Sequence, residues 1–318
     1  MKLKLSDQHE CSSSKKDKNR YGVILAGGDG TRLKSLTRAI AGDERPKQFC
    51  PILNGETLLS LTRRRVSQKI APENTFFVLT QKHERFYQPE LSGVSKSQLI
   101  VQSENKGTAP AILYSLLKLP AETTVAFFPS DHYFSDDAAF MDHVEAAFRS
   151  AQSRPETIVL LGIAPEKAET SYGWIEPAES IFNELPNSIS RVVRFWEKPS
   201  PEAAQSLMRR GGLWNSFVMV GRVKTFLDII RRALPELYRM FAALSITFGA
   251  SAEKCAMRAL YAWIKEINFS SEVLENCAGE LYVLRVADVR WSDWGEPQRV
   301  LGTLTSLGVR TDWMMAAS

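Results

Sequence analysis

In the first half of the chain, short apolar runs alternate with longer stretches of helical periodicity. The apolar runs, rich in β-branched and aromatic residues, are 21–25, 75–79, 98–101, 124–128 and 157–161. The helical stretches are 58–70, 109–117 and 138–151. Strands that are apolar nearly throughout and alternate with helices are typical of a mostly parallel sheet with helices on both faces. We therefore expect a doubly wound α/β unit, whose ligands bind beyond the carboxyl ends of its strands.

After residue 170 the alternation is lost. Strands are predicted at 172–176, 190–197, 213–220 and 282–286. Helices are predicted at 201–209, 226–234, 237–248, 253–264 and 298–306. Because no repeat or low-complexity linker separates the two halves, we expect residues 21–170 and residues 171–318 to form one body.

Composition excludes several classes of function. The 318 residues carry a net charge of +4, but residues 1–20 hold six basic and three acidic side chains, so little charge is left elsewhere. We expect a disordered basic tail over 1–20 and no nucleic-acid partner. The four cysteines form no C-x-x-C pair, and no apolar run approaches the ~18 residues of a membrane span. The sequence predicts a reduced, cytoplasmic protein without a membrane partner, and leaves open whether it forms a homo-oligomer.

A glycine-rich turn follows the first predicted strand. Gly27, Gly28 and Gly30 fall within four positions and are followed by Thr31 and Arg32. Glycine permits positive φ and has no Cβ to obstruct a ligand, so such a turn can approach a polyphosphate closely. The turn has neither the G-K-[ST] of a Walker A loop nor a full G-x-G-x-x-G. Taken alone, it is equally consistent with a simple reversal of the chain.

Two acidic residues in distinctive settings indicate a magnesium site. Asp131 comes just after the predicted strand 124–128, and Asp293 lies between two tryptophans and before a glycine. Mg²⁺ prefers such hard oxygen ligands. The alternatives are that Asp131 caps the helix predicted to begin near Asp136, and that Asp293 belongs to a structural turn.

Three cations complement these acids. Arg32 and Lys47 flank a stretch rich in glycine and charge, 38–45, which we expect to be flexible and able to close over a triphosphate. Lys198 follows Glu197 at the end of a predicted strand. There the lysine can reach a phosphate while the carboxylate accepts hydrogen bonds from sugar hydroxyls. The alternative is a surface ion pair of little energetic consequence.

Asn215 completes the set, because an amide that donates and accepts suits a ligand with hydroxyls. It is otherwise only a turn residue. Cations, acids and polar groups without a Ser–His–Asp order or a reactive cysteine fit phosphoryl or nucleotidyl transfer, where charge neutralisation carries much of the rate.

Eight motifs, in the same order, resemble the sugar-nucleotide pyrophosphorylases, and most closely the bacterial mannose-1-phosphate guanylyltransferases. The motifs are 25–33, 46–49, 107–111, 129–132, 172–175, 197–199, 214–216 and 291–295. The resemblance implies a Rossmann-like nucleotidyltransferase fold. Residues 21–170 would form the nucleotide-binding half and residues 171–318 the α+β extension that binds the sugar phosphate.

The resemblance also implies roles for individual residues. Those implied in binding the nucleotide are Ala26, Gly27, Gly28, Gly30, Thr31 and Thr108. The catalytic cations would be Arg32 and Lys47 on the triphosphate and Lys198 on the sugar phosphate. The residues facing the sugar would be Gly173, Glu197 and Asn215, and those holding Mg²⁺ would be Asp131 and Asp293. The chain departs from the family at Phe217 and Gly107, where glycine and asparagine respectively are more usual.

The resulting hypothesis is an enzyme that joins GTP and mannose 1-phosphate to give GDP-mannose and pyrophosphate. One alternative is a pyrophosphorylase for another pair of substrates, such as UTP and glucose 1-phosphate. The other is a sugar-nucleotide sensor that has lost turnover. Pyrophosphate release across a panel of substrates distinguishes all three.

Overall fold

The computed structural model describes residues 19–178, 188–309 and 313. The strands in this part of the chain are β1 (Arg20–Leu25), β2 (Thr75–Thr80), β3 (Leu99–Gln102), β4 (Thr124–Pro129), β5 (Tyr133–Phe134), β6 (Ile158–Ile163), β7 (Gly173–Pro177), β8 (Ile189–Glu197), β9 (Leu213–Arg222), β10 (Leu281–Val286) and β11 (Trp291–Ser292). The α-helices are α1 (Lys34–Ala41), α2 (Leu58–Val66), α3 (Glu84–Glu90), α4 (Thr108–Leu116), α5 (Asp137–Ser153), α6 (Pro201–Arg209), α7 (Val223–Ala233), α8 (Pro235–Leu244), α9 (Glu253–Trp263) and α10 (Pro297–Ser306).

The tail predicted over 1–20 lies outside the described residues as far as residue 18. Its last residue, Arg20, belongs to β1 and pairs with Glu145 of α5 at 2.6 Å. The assignment of Arg20 to a disordered tail was therefore wrong.

One nine-stranded sheet runs through both halves of the sequence, in the order β3-β2-β1-β4-β9-β6-β10-β8-β7. The pairs β3–β2, β2–β1, β1–β4 and β6–β10 are parallel. β9 is antiparallel to both β4 and β6, and β8 is antiparallel to both β10 and β7. The sheet thus has a parallel framework, and a strand from the second half is inserted between two strands of the first.

Helices pack on both faces of this sheet. Val23 and Phe127 point into one apolar cluster, which also contains side chains of α4, α7, α8 and α9. Their neighbours Ile24 and Phe128 point into a second cluster with side chains of α2, α3, α5 and α6. Successive residues of a strand face opposite sides of the sheet. A strand that is apolar throughout therefore contributes side chains to both apolar clusters.

A short antiparallel pair of strands joins two segments that the sequence singled out. In β5 and β11, Phe134 pairs with Trp291 and Tyr133 with Ser292. The Tyr133 ring also stacks on Trp294, with ring centroids 5.3 Å apart. The chain just after Asp131 is therefore fixed beside the chain just before Asp293.

The stretch 38–45 is more ordered than expected. Helix α1 extends as far as Ala41 and ends at Gly42, whose φ is +78° and whose N–H donates to the carbonyl of Arg38. Beyond it, Arg45 pairs with Asp43 at 2.7 Å. The prediction of a flexible stretch was wrong for residues 38–41. In the described part of the chain, no helix has both the length and the apolar character needed to cross a bilayer.

Candidate functional site

The glycine turn lies at the carboxyl end of β1 and packs against the segment that carries Lys47. Gly30 has a φ of +60°, and a Cβ added there would lie 3.0 Å from the Lys47 backbone nitrogen. A side chain at this position would both strain the backbone and force the two segments apart. Gly30 is therefore required by the way the turn packs, independently of any ligand.

Protein groups hold the carbonyl oxygens of this turn. The Gln48 side-chain amide donates to the carbonyls of Ala26, at 3.0 Å, and of Gly28, at 2.8 Å. The Thr80 hydroxyl donates to the carbonyl of Gly27 at 2.8 Å. Sequence reasoning gave Gln48 no role, although it lies in the 46–49 motif. Its two hydrogen bonds and its burial next to the turn show that it helps to fix the shape of the loop.

A cleft of about 410 Å³ opens beside the turn. Its lining residues are Leu25, Gly27, Gly28, Gln48, Val78, Gln102, Asn105, Gly107, Thr108, Ala111, Pro129, Ser130, Asp131, His132, Phe217, Glu266 and Asn268. Three residues predicted to bind the nucleotide, Gly27, Gly28 and Thr108, are in this lining. Ala26, predicted with them, is buried and is not among the lining residues.

Part of the cleft wall is formed by Glu266 and Asn268, which belong to segment 266–269, to which no sequence motif pointed. Ile267 donates to the Lys106 carbonyl at 2.9 Å, and Phe269 donates to the Thr108 hydroxyl at 2.8 Å. Gly107 has a φ of +84°, and a Cβ added there would overlap the Ile267 carbonyl oxygen. Glycine at 107 thus allows the two segments to meet.

A second pocket, of about 300 Å³, adjoins the first. Its lining residues are Gly30, Thr31, Arg32, Leu33, Lys47, Asp131, His132, Asp293 and Gly295. It shares Asp131 and His132 with the cleft. The structure therefore brings together the two predicted metal-binding acids, two of the three predicted cations, and the predicted nucleotide residues Gly30 and Thr31.

Lys47 connects the two acidic segments. Its Nζ donates to the carbonyls of Asp293 and Trp294, the latter at 3.1 Å, and lies 3.3 Å from Asp131 Oδ2. The residue is 7% exposed. An ammonium held this firmly presents its charge to the pocket without first having to be ordered.

Asp293 is held by a network that the sequence did not reveal. Its Oδ1 accepts hydrogen bonds from the Gly295 amide at 2.8 Å, from Arg299 at 2.7 Å and from the Tyr172 hydroxyl at 3.1 Å. Arg299, on α10, also pairs with Glu169 at 3.1 Å. The arginine has no motif around it, and only the tertiary fold shows its role.

Two groups of the site, His132 and Asp293, have shifted pKa values. Burial lowers the pKa of His132 to about 4, so the ring is uncharged near neutral pH, and it accepts a hydrogen bond from the Trp291 indole at 3.3 Å. Burial alone would raise the pKa of Asp293, but His132 (once it is protonated in acid), Lys47, the Gly295 amide and Arg299 outweigh burial and lower that pKa.

Asp131 and Asp293 are of a kind and number that could hold a divalent ion, provided that substrate phosphates supply further oxygen ligands. In the described ranges, no three His, Cys, Asp or Glu residues form a group that could hold a metal alone. Mg²⁺ needs no such group, because it is commonly held by one or two carboxylates together with substrate phosphates. Asp136, not Asp131, caps α5, so the helix-cap alternative for Asp131 was wrong.

The residues predicted to face the sugar lie next to the cleft rather than among its lining residues. Gly173 pairs with Glu197 across β7 and β8, and a Cβ added at Gly173 would lie 3.2 Å from the Glu197 carboxylate. Burial raises the pKa of Glu197, and the charge of the neighbouring Lys198 opposes that shift without cancelling it. Lys198 is 63% exposed, with its Nζ 3.9 Å from Glu197. This is the geometry of the weak surface pair that the sequence left open.

Asn215 is buried at a bulge where β6 and β9 change register. Its Oδ1 accepts a hydrogen bond from the Phe217 amide at 3.0 Å, and Phe217 has a φ of +60°. Five non-glycine residues in the described part of the chain have positive φ. Three of them lie in or next to the predicted motifs: Lys198, Phe217 and Trp294. Such conformations cost free energy and concentrate at functional sites.

Comparison with known proteins shows which family this chain belongs to. The model of the family described as "Nucleotidyl transferase" matches residues 21–303. This chain belongs to that family. All eight sequence motifs fall within the matched residues.

The similar curated proteins are about 30% identical to this chain. Mannose-1-phosphate guanylyltransferase 2 of Escherichia coli O157:H7 is 28% identical over 298 residues, which are 87% of this chain and 58% of that protein. The alginate biosynthesis protein AlgA of Pseudomonas aeruginosa is 29% identical over 68% of this chain and 44% of its own length. The chain thus spans roughly half the length of the curated relatives it matches.

Similar solved structures agree with the fold. A Thermus thermophilus protein described as a mannose-1-phosphate geranyltransferase superposes with a TM-score of 0.75 at 30% identity, covering 89% of this chain and 79% of its own. A glucose-1-phosphate thymidylyltransferase described as putative, from Bacillus anthracis, superposes with a TM-score of 0.58 at 16% identity, covering 92% of this chain and 98% of its own. The second likeness supports the α/β nucleotidyltransferase fold alone.

Proposed function

We propose that this chain joins GTP and mannose 1-phosphate to give GDP-mannose and pyrophosphate. The observation that carries the proposal is the meeting of two pockets at Asp131 and His132. One is a cleft beside the glycine turn with room for a nucleoside, and the other contains Arg32, Lys47 and two carboxylates. The E. coli relative, named as a mannose-1-phosphate guanylyltransferase, supports the choice of substrates.

The reaction is a substitution at the α-phosphorus of the triphosphate. A phosphate oxygen of the sugar phosphate attacks in line, the bond to the β-phosphate bridging oxygen breaks, and pyrophosphate leaves with that oxygen. The nucleophile is already an anion, so no general base is needed. The main obstacle is repulsion between two anions, which positioned cations reduce.

In this proposal Arg32 and Lys47 hold the triphosphate and reduce its charge. Lys198 is free to move toward the sugar phosphate because its side chain is mostly exposed. Gly27, Gly28 and Thr108 line the nucleotide cleft, while Glu197, Asn215 and Gly173 face the sugar. Asp131 and Asp293 would hold Mg²⁺, which supplies positive charge at the phosphates when bound.

The test is a panel of substrates. GTP, UTP, ATP, CTP and dTTP are each combined with mannose 1-phosphate and glucose 1-phosphate in the presence of Mg²⁺, and pyrophosphate release is followed. We expect the highest kcat/KM with GTP and mannose 1-phosphate. A clear preference for another pair of substrates would show that the proposed substrates are wrong but that the proposed type of reaction is right. Binding of GDP-mannose without pyrophosphate release from any pair would contradict the enzyme proposal.

Variants at the site provide the controls for this panel. Asp131→Asn removes a pocket carboxylate, whereas Asp142→Asn removes a carboxylate that is 73% exposed and pairs only with Lys69 in the described contacts. Turnover should be lost in the first variant and retained in the second. Equal turnover in the two variants would show that Asp131 is not needed for the reaction.

A further inference from the structure

Phe217 combines a left-handed backbone conformation with a large aromatic side chain. Its φ is +60°, and the half-buried residue is part of the lining of the nucleotide cleft. A bulky residue at positive φ is an outlier that the surrounding structure must stabilise, because the same backbone costs glycine almost nothing. A phenylalanine that lines the cleft in this conformation thus requires a physical explanation.

Local hydrogen bonds hold the backbone in this conformation. The Phe217 amide donates to Asn215 Oδ1 at 3.0 Å, and the Val218 amide donates to the Ser216 hydroxyl at 3.2 Å. The Ser216 hydroxyl in turn donates to the Leu161 carbonyl of β6 at 2.6 Å. The bulge of β9 is therefore fixed from both sides, and the fold itself carries the ring to the cleft.

The surroundings of the ring identify which end of the cleft it lines. β9, which carries Phe217, also pairs with β7, where Gly173 lies opposite Glu197 of β8. Asn215, two residues before Phe217, caps the Phe217 amide. Glu197 and Asn215 are the residues proposed above to face the sugar, so Phe217 belongs to the sugar end rather than to the end formed by Gln102 and Asn105.

We propose that Phe217 sets the largest sugar 1-phosphate that the site accepts. The ring occupies volume that a hexose with only hydroxyl substituents does not need, but that an acetamido substituent would need. Because the backbone of Phe217 is fixed, its ring cannot move aside without a cost in free energy. The ring therefore excludes a sugar with an acetamido substituent. Unmodified hexose 1-phosphates are therefore accepted in preference to N-acetylhexosamine 1-phosphates. This proposal rests on the proposed function.

The experiment compares two kinds of substrate in four proteins. Wild type, Phe217→Ala, Phe217→Gly and Phe217→Tyr are assayed as the full chain with GTP and Mg²⁺. The sugar phosphates are mannose 1-phosphate, glucose 1-phosphate and N-acetylglucosamine 1-phosphate. The quantity measured is the ratio of kcat/KM for the acetamido sugar to kcat/KM for the better hexose. Alanine removes the ring but keeps the strain, whereas glycine removes both.

We expect this ratio to rise about tenfold or more in both the alanine and the glycine variants, since a hydrophobic wall discriminates by that order. Phe217→Tyr keeps the ring and should keep the wild-type ratio. Asn54→Gly is the control for a glycine placed at positive φ, because Asn54 has a φ of +51° and lies exposed in a turn outside both pockets. It should leave the ratio unchanged.

The outcomes separate this proposal from the proposed function. If wild type turns over a hexose 1-phosphate but the ratio stays within about twofold in both truncated variants, the role of Phe217 is overturned and the function stands. A loss of all activities in parallel, with the thermal midpoint lowered, would make Phe217 a purely structural residue. If wild type turns over no pair, the function fails. The corresponding ratio of affinities is then measured by equilibrium binding of UDP-glucose and UDP-N-acetylglucosamine, which differ only in the acetamido group. No change of this ratio between wild type and the truncated variants, or no binding, overturns the proposal.

Discussion

Lys47 donates a hydrogen bond to the carbonyl oxygen of Trp294, 3.1 Å away, from a segment 247 positions earlier in the chain. The same Nζ lies 3.3 Å from Asp131. One ammonium thus joins the segment after β11 to the end of β4, and it belongs to a segment whose backbone packs against the glycine turn. The charge that would meet a triphosphate is also a structural tie between the two halves of the sequence.

Replacing Lys47 with alanine should reduce both stability and activity. Two backbone carbonyls would lose their donor, which we expect to lower the free energy of unfolding by about 1–3 kcal/mol. Loss of a positioned cation should lower kcat/KM by about a hundredfold or more. Urea titration and pyrophosphate release measure the two effects. Lys69→Ala, at a half-exposed pair on the surface, is the control and should change neither by much.

The two pocket acids should respond to magnesium in the same way. Asp131→Asn and Asp293→Asn keep the size of each side chain but remove its charge, so each should lower turnover by about a hundredfold or more. Residual activity should require a higher Mg²⁺ concentration for half-maximal rate. A magnesium titration of each variant tests this. An unchanged magnesium dependence in either variant would argue against that acid as a ligand.

Gly295 should not tolerate a methyl group. A Cβ added there would overlap the Asp293 carboxylate and lie 3.0 Å from Arg32 Nη2. Gly295→Ala should therefore displace two pocket side chains and lower kcat/KM. Gly302, exposed inside α10 with no heavy atom within 4 Å of an added Cβ, is the matched control. Gly302→Ala should raise the free energy of unfolding by about 0.5–1 kcal/mol and leave kinetics unchanged.

His132 should make the protein sensitive to mild acid. Its pKa is lowered from 6.5 to about 4 on folding, so the unfolded chain binds more protons between these values. The stability due to this histidine is fully present above pH 6.5 and is lost as the pH falls toward 4. The free energy of unfolding, measured by urea titration from pH 7.5 to pH 4, should fall more steeply in wild type than in His132→Gln. Parallel curves would show that the ring does not titrate as described.

Sequence patterns predicted most of the secondary structure but not the pairing of β9. Its residues 213–220 were recognised as a strand because they are apolar. Nothing local to them encodes that β9 should run antiparallel between β4 and β6, since pairing partners depend on tertiary packing. Helix α1 was missed for another reason, because the glycine and charge of 38–45 obscured a helix that ends at a left-handed Gly42.

The convergence of Asp131 and Asp293 was expected from chemistry, but its cause was not visible in the sequence. It is due to β5 and β11, which are two residues long and too short to give any periodic signal. Gln48 and segment 266–269 were missed because their partners lie in other segments that only the fold brings close. Arg299 was missed because no local pattern shows that it joins Asp293 to Glu169, which is distant in the sequence. A motif search finds groups that a ligand touches more readily than those that hold such groups in place.

The place of β9 in the sheet also has a consequence for synthesis. Until residue 222 has left the ribosome, β4 and β6 have no strand between them, and each exposes an unpaired apolar edge. Such edges can pair with other chains, and long-range pairing of this kind forms slowly. The nascent protein therefore passes through a stage at which it needs protection from aggregation, and any fragment ending before Leu213 remains at that stage.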